Sequence, residues 1–370
     1  MLLQSFVMEE LCCRFPHLGD LVLNNLDEQS LTKCQAASRV ISQFVIKERF
    51  FWIRIMERYY KNLSKFKRYW EMIIPRTSAD LLKQLAITAH NVCKMKRQYG
   101  YTPVLQWSPF HIAAESGLMS LCTHVYCKTD IYRFENRNPG NKNGGTPLHI
   151  AARKGHLEIY QFIMDKVEDK NPVANNGITP LHLAAMKGYL EICQIILGCS
   201  ENSNPLESNK MTPLHLAAQS GHLEICKLIM NTLDNKNPAG MGGWTPLHFA
   251  AQNGHLEICR FIMDTLDKKN PADNLGTTPL HLASKNGHLE ICQLIMDTLK
   301  NKNPSNIHGG TPLHFSAHHG HFEICEIIMD SLEDKNPPDN SGSTPLQLAS
   351  EEGHLEIYKL IQSKRQKSTR

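Results

Sequence analysis

Apolar and polar positions recur along most of the chain with a period of 33 residues. Thr-Pro-Leu begins at Thr146, Thr179, Thr212, Thr245, Thr278, Thr311 and Thr344 with no slip of register. Each unit reads approximately T-P-L-H-L-A-A-x-x-G-H-L-E-I-C-x-L-I-M and then enters a polar segment with Asn-Pro, as at Asn171-Pro172 and Asn237-Pro238. The pattern predicts two short helices per unit. Thr245 can cap the first, and Pro246 fills its first position, where a missing N–H costs nothing. Leu247, Ala250 and Ala251 share one side, and Gly254 closes the helix in a left-handed turn. A second helix from His255 carries Leu256, Ile258, Cys259, Phe261 and Ile262. One such pair cannot cover its own apolar surface, so stability must come from stacking on the next unit.

A 33-residue period built on T-P-L-H-x-A resembles the ankyrin repeat, over about Ser108 to Gln362. The resemblance implies an all-α solenoid of about eight helix-turn-helix repeats. The first is a degenerate unit at 108–140, Ser108-Pro109-Phe110-His111-Ile112-Ala113-Ala114 followed by Gly117, and seven units follow from 146, 179, 212, 245, 278, 311 and 344. The first unit starts 38 residues before Thr146, which places an insertion in the loop around Asn136 to Asn143. The last replaces His with Gln347 and carries Glu351 and Glu352, as suits a unit facing solvent. Where the common ankyrin pattern ends its second helix with Gly-Ala, this chain has Leu233-Asp234, Leu266-Asp267 or Leu299-Lys300. That departure predicts a longer second helix and leaves the shape of the hairpin fingers open.

A different pattern occupies residues 11–57. Pro16 can open a helix carrying Leu18, Leu21, Val22 and Leu26; a second would carry Leu31, Cys34, Ala37, Val40 and Ile41; a third apolar cluster, Phe50 to Ile55, contains Trp52. So small a segment needs something to pack against. Its Phe-Pro start, L-x-x-L-D-x-x-S-L, C-x-x-x-S-R and late Phe-Trp resemble the F-box, with Phe15 standing where Leu is common and Ile41 where Trp is frequent. The resemblance implies a three-helix module docking on the Skp-type adaptor of a cullin–RING ubiquitin ligase, with Phe15, Pro16, Leu18, Leu21, Leu31, Cys34, Val40, Ile41 and Trp52 in its core or facing the adaptor. The alternative is a helical cap that packs only on its own chain.

Residues 58–107 read as a helical linker. Lys61, Lys65, Lys67 and Arg68 alternate with Tyr59, Tyr60, Phe66, Tyr69 and Trp70, a mixture found in nucleic-acid surfaces and equally in a connecting helix. Ser78 can cap a further helix from Ala79 to about Arg97. A basic tail, 363–370, carries Lys364, Arg365, Lys367 and Arg370 and reads as solvated.

Composition changes the picture in two places. The +4 net charge conceals a head, Met1 to Trp107, of +7, an array, Ser108 to Gln362, of −7, and a tail of +4. The 19 His and 12 Cys first suggest a metal or disulfide protein. However, Cys193, Cys226, Cys259, Cys292 and Cys325 occupy one repeat position, as do His149, His182, His215, His248, His281 and His314. Stacked helices stand roughly 8–10 Å apart, beyond the ~7 Å limit for a disulfide, so the thiols read as small apolar fillers and the histidines as hydrogen-bonding groups between turns. His318, His319 and His321 read as variable surface residues plus the repeated Gly-His. No metal, cofactor or catalytic residue is expected: a phosphate loop, a G-x-S-x-G elbow and an H-E-x-x-H pair are all missing from the sequence. The apolar start from Leu2 to Met8 is cut by Glu9 and Glu10 and lacks a basic n-region, so no secretory signal is expected. No apolar run reaches the ~20 residues that cross a bilayer. The expected compartment is the cytoplasm, or the nucleus.

Binding residues should lie where the units vary while the scaffold repeats. After the Ala pair these are Met186, Lys187, Gln219, Ser220, Gln252, Asn253, Lys285, Asn286, His318 and His319, and before each Thr they include Ile178, Met211, Trp244 and Thr277. Trp244 reads as an interface anchor or as a residue packed on a neighbouring finger. The expected function is a protein-interaction subunit that holds a target protein on the repeats and a Skp-type adaptor with its cullin complex at residues 11–57. The alternative is an ankyrin scaffold or effector without a ligase role; an enzyme stands third, and membrane and nucleic acid are not expected partners.

Overall fold

The computed structural model describes residues 108–131, 137–200 and 202–368. The proposed docking module at 11–57, with Phe15, Pro16, Leu18, Leu21, Leu31, Cys34, Val40, Ile41 and Trp52, and the linker at 58–107 lie outside the described residues. The chain divides into two compact units, Met1–Asn175 and Asn176–Arg370. The described part of the first holds α1 (Pro109–Ser116), α2 (Met119–Ile131), α3 (Pro147–Lys154) and α4 (Leu157–Met164). The second holds α5 (Pro180–Lys187), α6 (Leu190–Cys199), α7 (Pro213–Ser220), α8 (Leu223–Met230), α9 (Pro246–Gln252), α10 (Leu256–Asp264), α11 (Pro279–Asn286), α12 (Leu289–Met296), α13 (Pro312–His318), α14 (Phe322–Asp330), α15 (Pro345–Glu351) and α16 (Leu355–Ser368). The fold is all-α, and no strand occurs among the described residues.

Each inner, odd-numbered helix starts as its sequence dictates. Thr245 takes an extended conformation, Pro246 stands at the first helical position, and Asn253 then leads into Gly254 at φ +78°. Leu247, Ala250 and Ala251 are wholly buried. The paired alanines let successive inner helices pack closely, α1 on α3 in the first unit and α5 through α15 in order in the second. The outer helices contribute Ile258, Cys259, Ile262 and Met263 to the core, while Leu256 and Phe261, expected there, are only half-buried. The cysteine positions are filled by Cys193, Cys226, Cys259, Cys292 and Cys325, all fully buried free thiols.

The outer helices do not run long. They stop at Met230, Asp264, Met296 and Asp330, ahead of the Leu-Asp dipeptides. Hydroxyls end them: Thr232, Thr265, Thr298 and Ser331 each donate Oγ–H to the carbonyl three residues back, at 2.7 Å. A side chain that competes for a helical carbonyl loosens the next turn. A lysine then folds back onto the last carbonyls. Lys236 Nζ donates to Met230 O and Lys269 Nζ to Met263 O, both at 2.5 Å, and Lys335 Nζ reaches Met329 O at 2.6 Å. A cation at this end also opposes the negative pole of the helix.

The fingers close without Gly-Ala. In the second unit Asp273 N donates to Thr277 O at 2.8 Å and Asn306 N to Gly310 O at 2.9 Å, while the Asp273 carboxylate accepts from the Leu275 and Thr277 amides. One backbone bond ties each finger to the next, Asn274 N to Gly242 O and Ile307 N to Leu275 O.

One expectation at the first repeat is corrected. The extra length of the first repeat precedes Asn138 instead of occupying 136–143. Helix α2 has 13 residues against 8 in α4, and from Asn138, which accepts from Leu148 N across ten residues, the register matches later units. The basic tail, read as solvated, is helical as far as it is described, with Ser363, Arg365 and Gln366 exposed. Helix α16 continues to Ser368, and Lys364 is ion-paired with Asp330.

Candidate protein-binding surface

Three recurring positions of the unit hold the variable ones in place, and each does so through hydrogen bonds. The asparagine of Asn-Pro caps the following inner helix: Asn237 Oδ1 accepts from Leu247 N, Asn270 from Leu280 N, and Asn303 from Leu313 N, at 3.0–3.1 Å. Proline at the first position removes one amide, and this carboxamide satisfies the next. The sequence reading placed these asparagines in a polar connection and missed the cap, because the partner lies ten residues away.

The T-P-L-H histidine joins two repeats. In the second unit His248 Nδ1 accepts from Thr245 N at 3.1 Å, and its Nε2–H donates to Thr277 O at 3.2 Å. His182, His215, His281 and His314 repeat this with Met211 O, Trp244 O, Gly310 O and Ser343 O. In the first unit His111 reaches Gly145 O at 2.9 Å. Accepting at one nitrogen and donating at the other requires the neutral ring. Burial pushes the imidazoles of His182, His215, His248, His281 and His314 down, to about 4 at His215 and His281.

The Gly-His histidine forms a second joint, which sequence reasoning did not find. His255 Nε2 bonds Gln219 O, His288 bonds Gln252 O, His321 bonds Lys285 O and His354 bonds His318 O, at 3.0–3.1 Å. Its signal was the recurrent pairing of His with a preceding Gly, broken in the seven T-P-L units only at Gly188-Tyr189. The carbonyls it uses belong to the variable residues at the inner-helix ends, so the backbone at the candidate binding positions is fixed by the following repeat.

The side chains at those positions divide into two groups. Lys187, Gln219, Lys285 and His318 are exposed. Asn253, Asn286 and His319 are exposed too, but each is tied to its own helix: Asn253 Nδ2 donates to Phe249 O and Asn286 Nδ2 to Leu282 O, at 2.8 Å, and His319 Nδ1 lies 3.0 Å from Phe315 O. Met186 and Gln252 are half-buried. His318 stands 3.6 Å from Glu352, and burial lowers the His319 imidazole, assisted by His318, Lys285 and His321. Trp244 is half-buried. Its ring lies 5.1 Å from that of Phe249 and 5.9 Å from that of His248, both in its own repeat. It therefore bridges the finger to the inner helix of its own repeat.

Among the described residues, no three His, Cys, Asp or Glu side chains come together as a metal site would need. Burial raises the ladder thiols to about 12, which makes them inert as nucleophiles. Among the same residues no helix is long and apolar enough to cross a membrane.

The family described as ankyrin repeats (3 copies) matches four overlapping stretches, residues 73–174, 166–239, 231–306 and 295–370. The chain belongs to the ankyrin repeat family. Ankyrin repeats are binding domains, generally non-catalytic, and imply a protein partner. The family match extends upstream of the first described ankyrin helix to residue 73, into the segment read as linker. The helix pairs observed from Pro109 onward agree with about eight ankyrin repeats.

Proposed function

We propose that this ankyrin protein is the substrate-recognition subunit of an SCF-type cullin–RING ubiquitin ligase. Its repeats would hold a target protein through the exposed inner-helix ends and Trp244, and residues 11–57 would hold a Skp-type adaptor. The observation that carries the reading is the F-box-like sequence, Phe15-Pro16, Leu18, Leu21, Leu31, Cys34, Val40, Ile41 and Trp52, joined in one chain to an ankyrin array whose exposed inner-helix ends vary. Nothing on the chain would perform covalent chemistry. Ubiquitin transfer would follow from holding the target near the ligase's catalytic subunits, a gain in effective concentration. Co-expression of the full chain with a Skp-type adaptor and cullin tests this. A stable complex that Pro16→Ala with Leu21→Ala abolishes supports it. No complex, or one indifferent to those substitutions, leaves an ankyrin scaffold that blocks or tethers a partner.

A further inference from the structure

The ankyrin array carries net negative charge, yet its charges are unevenly matched. On the outer helices cations have carboxylate neighbours: Lys227 lies 2.7 Å from Glu224 and Arg260 3.9 Å from Glu257. On the opposite side of the second unit the situation reverses. Lys187 and Lys285 at inner-helix ends and Lys210 on a finger are exposed, and no carboxylate lies within 4 Å of any of them among the described residues. The finger carboxylates nearest in sequence are already engaged. Glu207 accepts from the Asn209 and Met211 amides at 2.9 and 3.1 Å, and Asp273 from Leu275 and Thr277 at 2.8 Å.

Beside these lysines the inner helices present apolar side chains among polar ones. The residue after the T-P-L-H histidine is half-buried at Leu183, Leu216, Phe249 and Phe315, while Leu282 is covered, as are the alanines beyond it. Phe249 meets Trp244 on the finger side and His215 of the preceding repeat, with ring centroids 5.1 and 5.9 Å apart. An aromatic corner thus sits with unmatched ammonium groups in the repeats on either side of it.

We infer that this face of the second unit takes an extended protein segment with an apolar core residue seated at Trp244 and Phe249 and carboxylates on both flanks. The inference rests on the reading of the array as a target-binding surface and names its target's chemistry. Ammonium groups already solvated and unpaired give orientation and association rate to an acidic partner, while the aromatic corner supplies the desolvated anchor. Lys187 and Lys285 are three repeats apart, about 30 Å at the usual helix spacing, which an extended chain of about nine residues spans.

The test is selection of displayed random twelve-residue peptides on the full-length chain, followed by fluorescence anisotropy on the best selected peptide. Enrichment of Asp and Glu on both sides of an aromatic or large aliphatic residue is expected. Lys187→Glu with Lys285→Glu, both at exposed positions, should weaken that peptide at least tenfold and flatten its salt dependence, with an unchanged melting curve. Trp244→Ala should weaken it at both low and high salt. Selection of neutral or basic peptides, selection of none, or affinity unchanged by the double charge reversal would overturn the inference. Adaptor binding at residues 11–57 is read in a separate co-expression experiment, so either reading can fail while the other stands.

Discussion

A β-carbon placed on Gly254 would stand 2.7 Å from Cε1 of His288, the histidine of the next repeat that donates to Gln252 O. The glycine therefore answers two demands, a φ of +78° and an approach that no side chain permits. The same distance recurs at Gly221 with His255 and Gly287 with His321.

Replacing Gly254 by Ala should destabilise the array by more than the ~1 kcal/mol of an alanine in left-handed backbone alone, reaching about 2–3 kcal/mol once the imidazole is displaced. Urea unfolding followed by circular dichroism measures it. In the double variant with His288→Ala the clash is gone, and the two effects should sum to less than additivity requires. Strict additivity would show that the glycine is needed for its backbone angle only.

The histidine joints make stability depend on pH. His215 and His281 have folded values of about 4, below the ordinary 6.5, with burial as the main cause. Their contribution is therefore complete above about 6.5. As pH falls from 6.5 towards 4 the unfolded chain takes up protons that the folded one refuses, and stability is lost. His248 beside His281 adds to the effect and Asp273 opposes it. The expected loss is on the order of 2–3 kcal/mol for each of the two, read as a falling urea midpoint between pH 7 and pH 4.5. His281→Gln should reduce that slope, since Gln347 in the last repeat shows that a carboxamide accepts the same amide, Thr344 N, at 2.8 Å.

Asn270 is buried and satisfies the Leu280 amide. Asn270→Ala should cost about 1–2 kcal/mol, and Asn270→Asp, which keeps the acceptor, clearly less. Equal losses for the two would mean that the carboxamide is held for packing and not as a cap.

Cysteine reactivity should sort by burial. At pH 8, alkylation of the native chain mapped by mass spectrometry should modify Cys127 and Cys199, which are exposed, and spare Cys226, Cys259, Cys292 and Cys325, whose thiols sit at about 12. Rapid native labelling of Cys259 would contradict the packed ladder.

Trp244→Ala should lower both partner capture and stability, the latter by about 1 kcal/mol, because the ring stacks on His248 and packs at a tilt against Phe249. A capture loss well beyond the fraction unfolded, in a binding assay at 10 °C, is the signature of an interface role.

Much of the fold was legible because its information is local. Thr245-Pro246 and Gly254 specify a helix start and a helix stop within one turn of where they act, and the 33-residue period multiplies that signal. What escaped were partnerships made across distance. The Asn237 cap lies ten residues from its amide, and the His288 joint crosses 36 residues to Gln252. The outer-helix length was misread because Leu233-Asp234 gives no stop signal. The stop resides in the Thr232 hydroxyl and the returning Lys236, whose roles depend on a carbonyl already in place. At the candidate surface Lys187 and Lys285, expected at variable positions, are exposed. That Asn253 and His319 spend their polar atoms on their own helices was invisible without the geometry.

The His248 joint has a consequence for how such an array can change length. In the second unit each interior repeat offers an imidazole to the repeat that follows and a carbonyl to the one that precedes, as Thr277 does for His248 and Gly310 for His281. A tandem duplication of any 33 residues there keeps every imidazole 29 residues from its carbonyl, whereas an insertion of another length would strand a buried ring nitrogen. The array is thus extensible in whole periods only, and gene duplication of one period could lengthen it without redesigning a single contact.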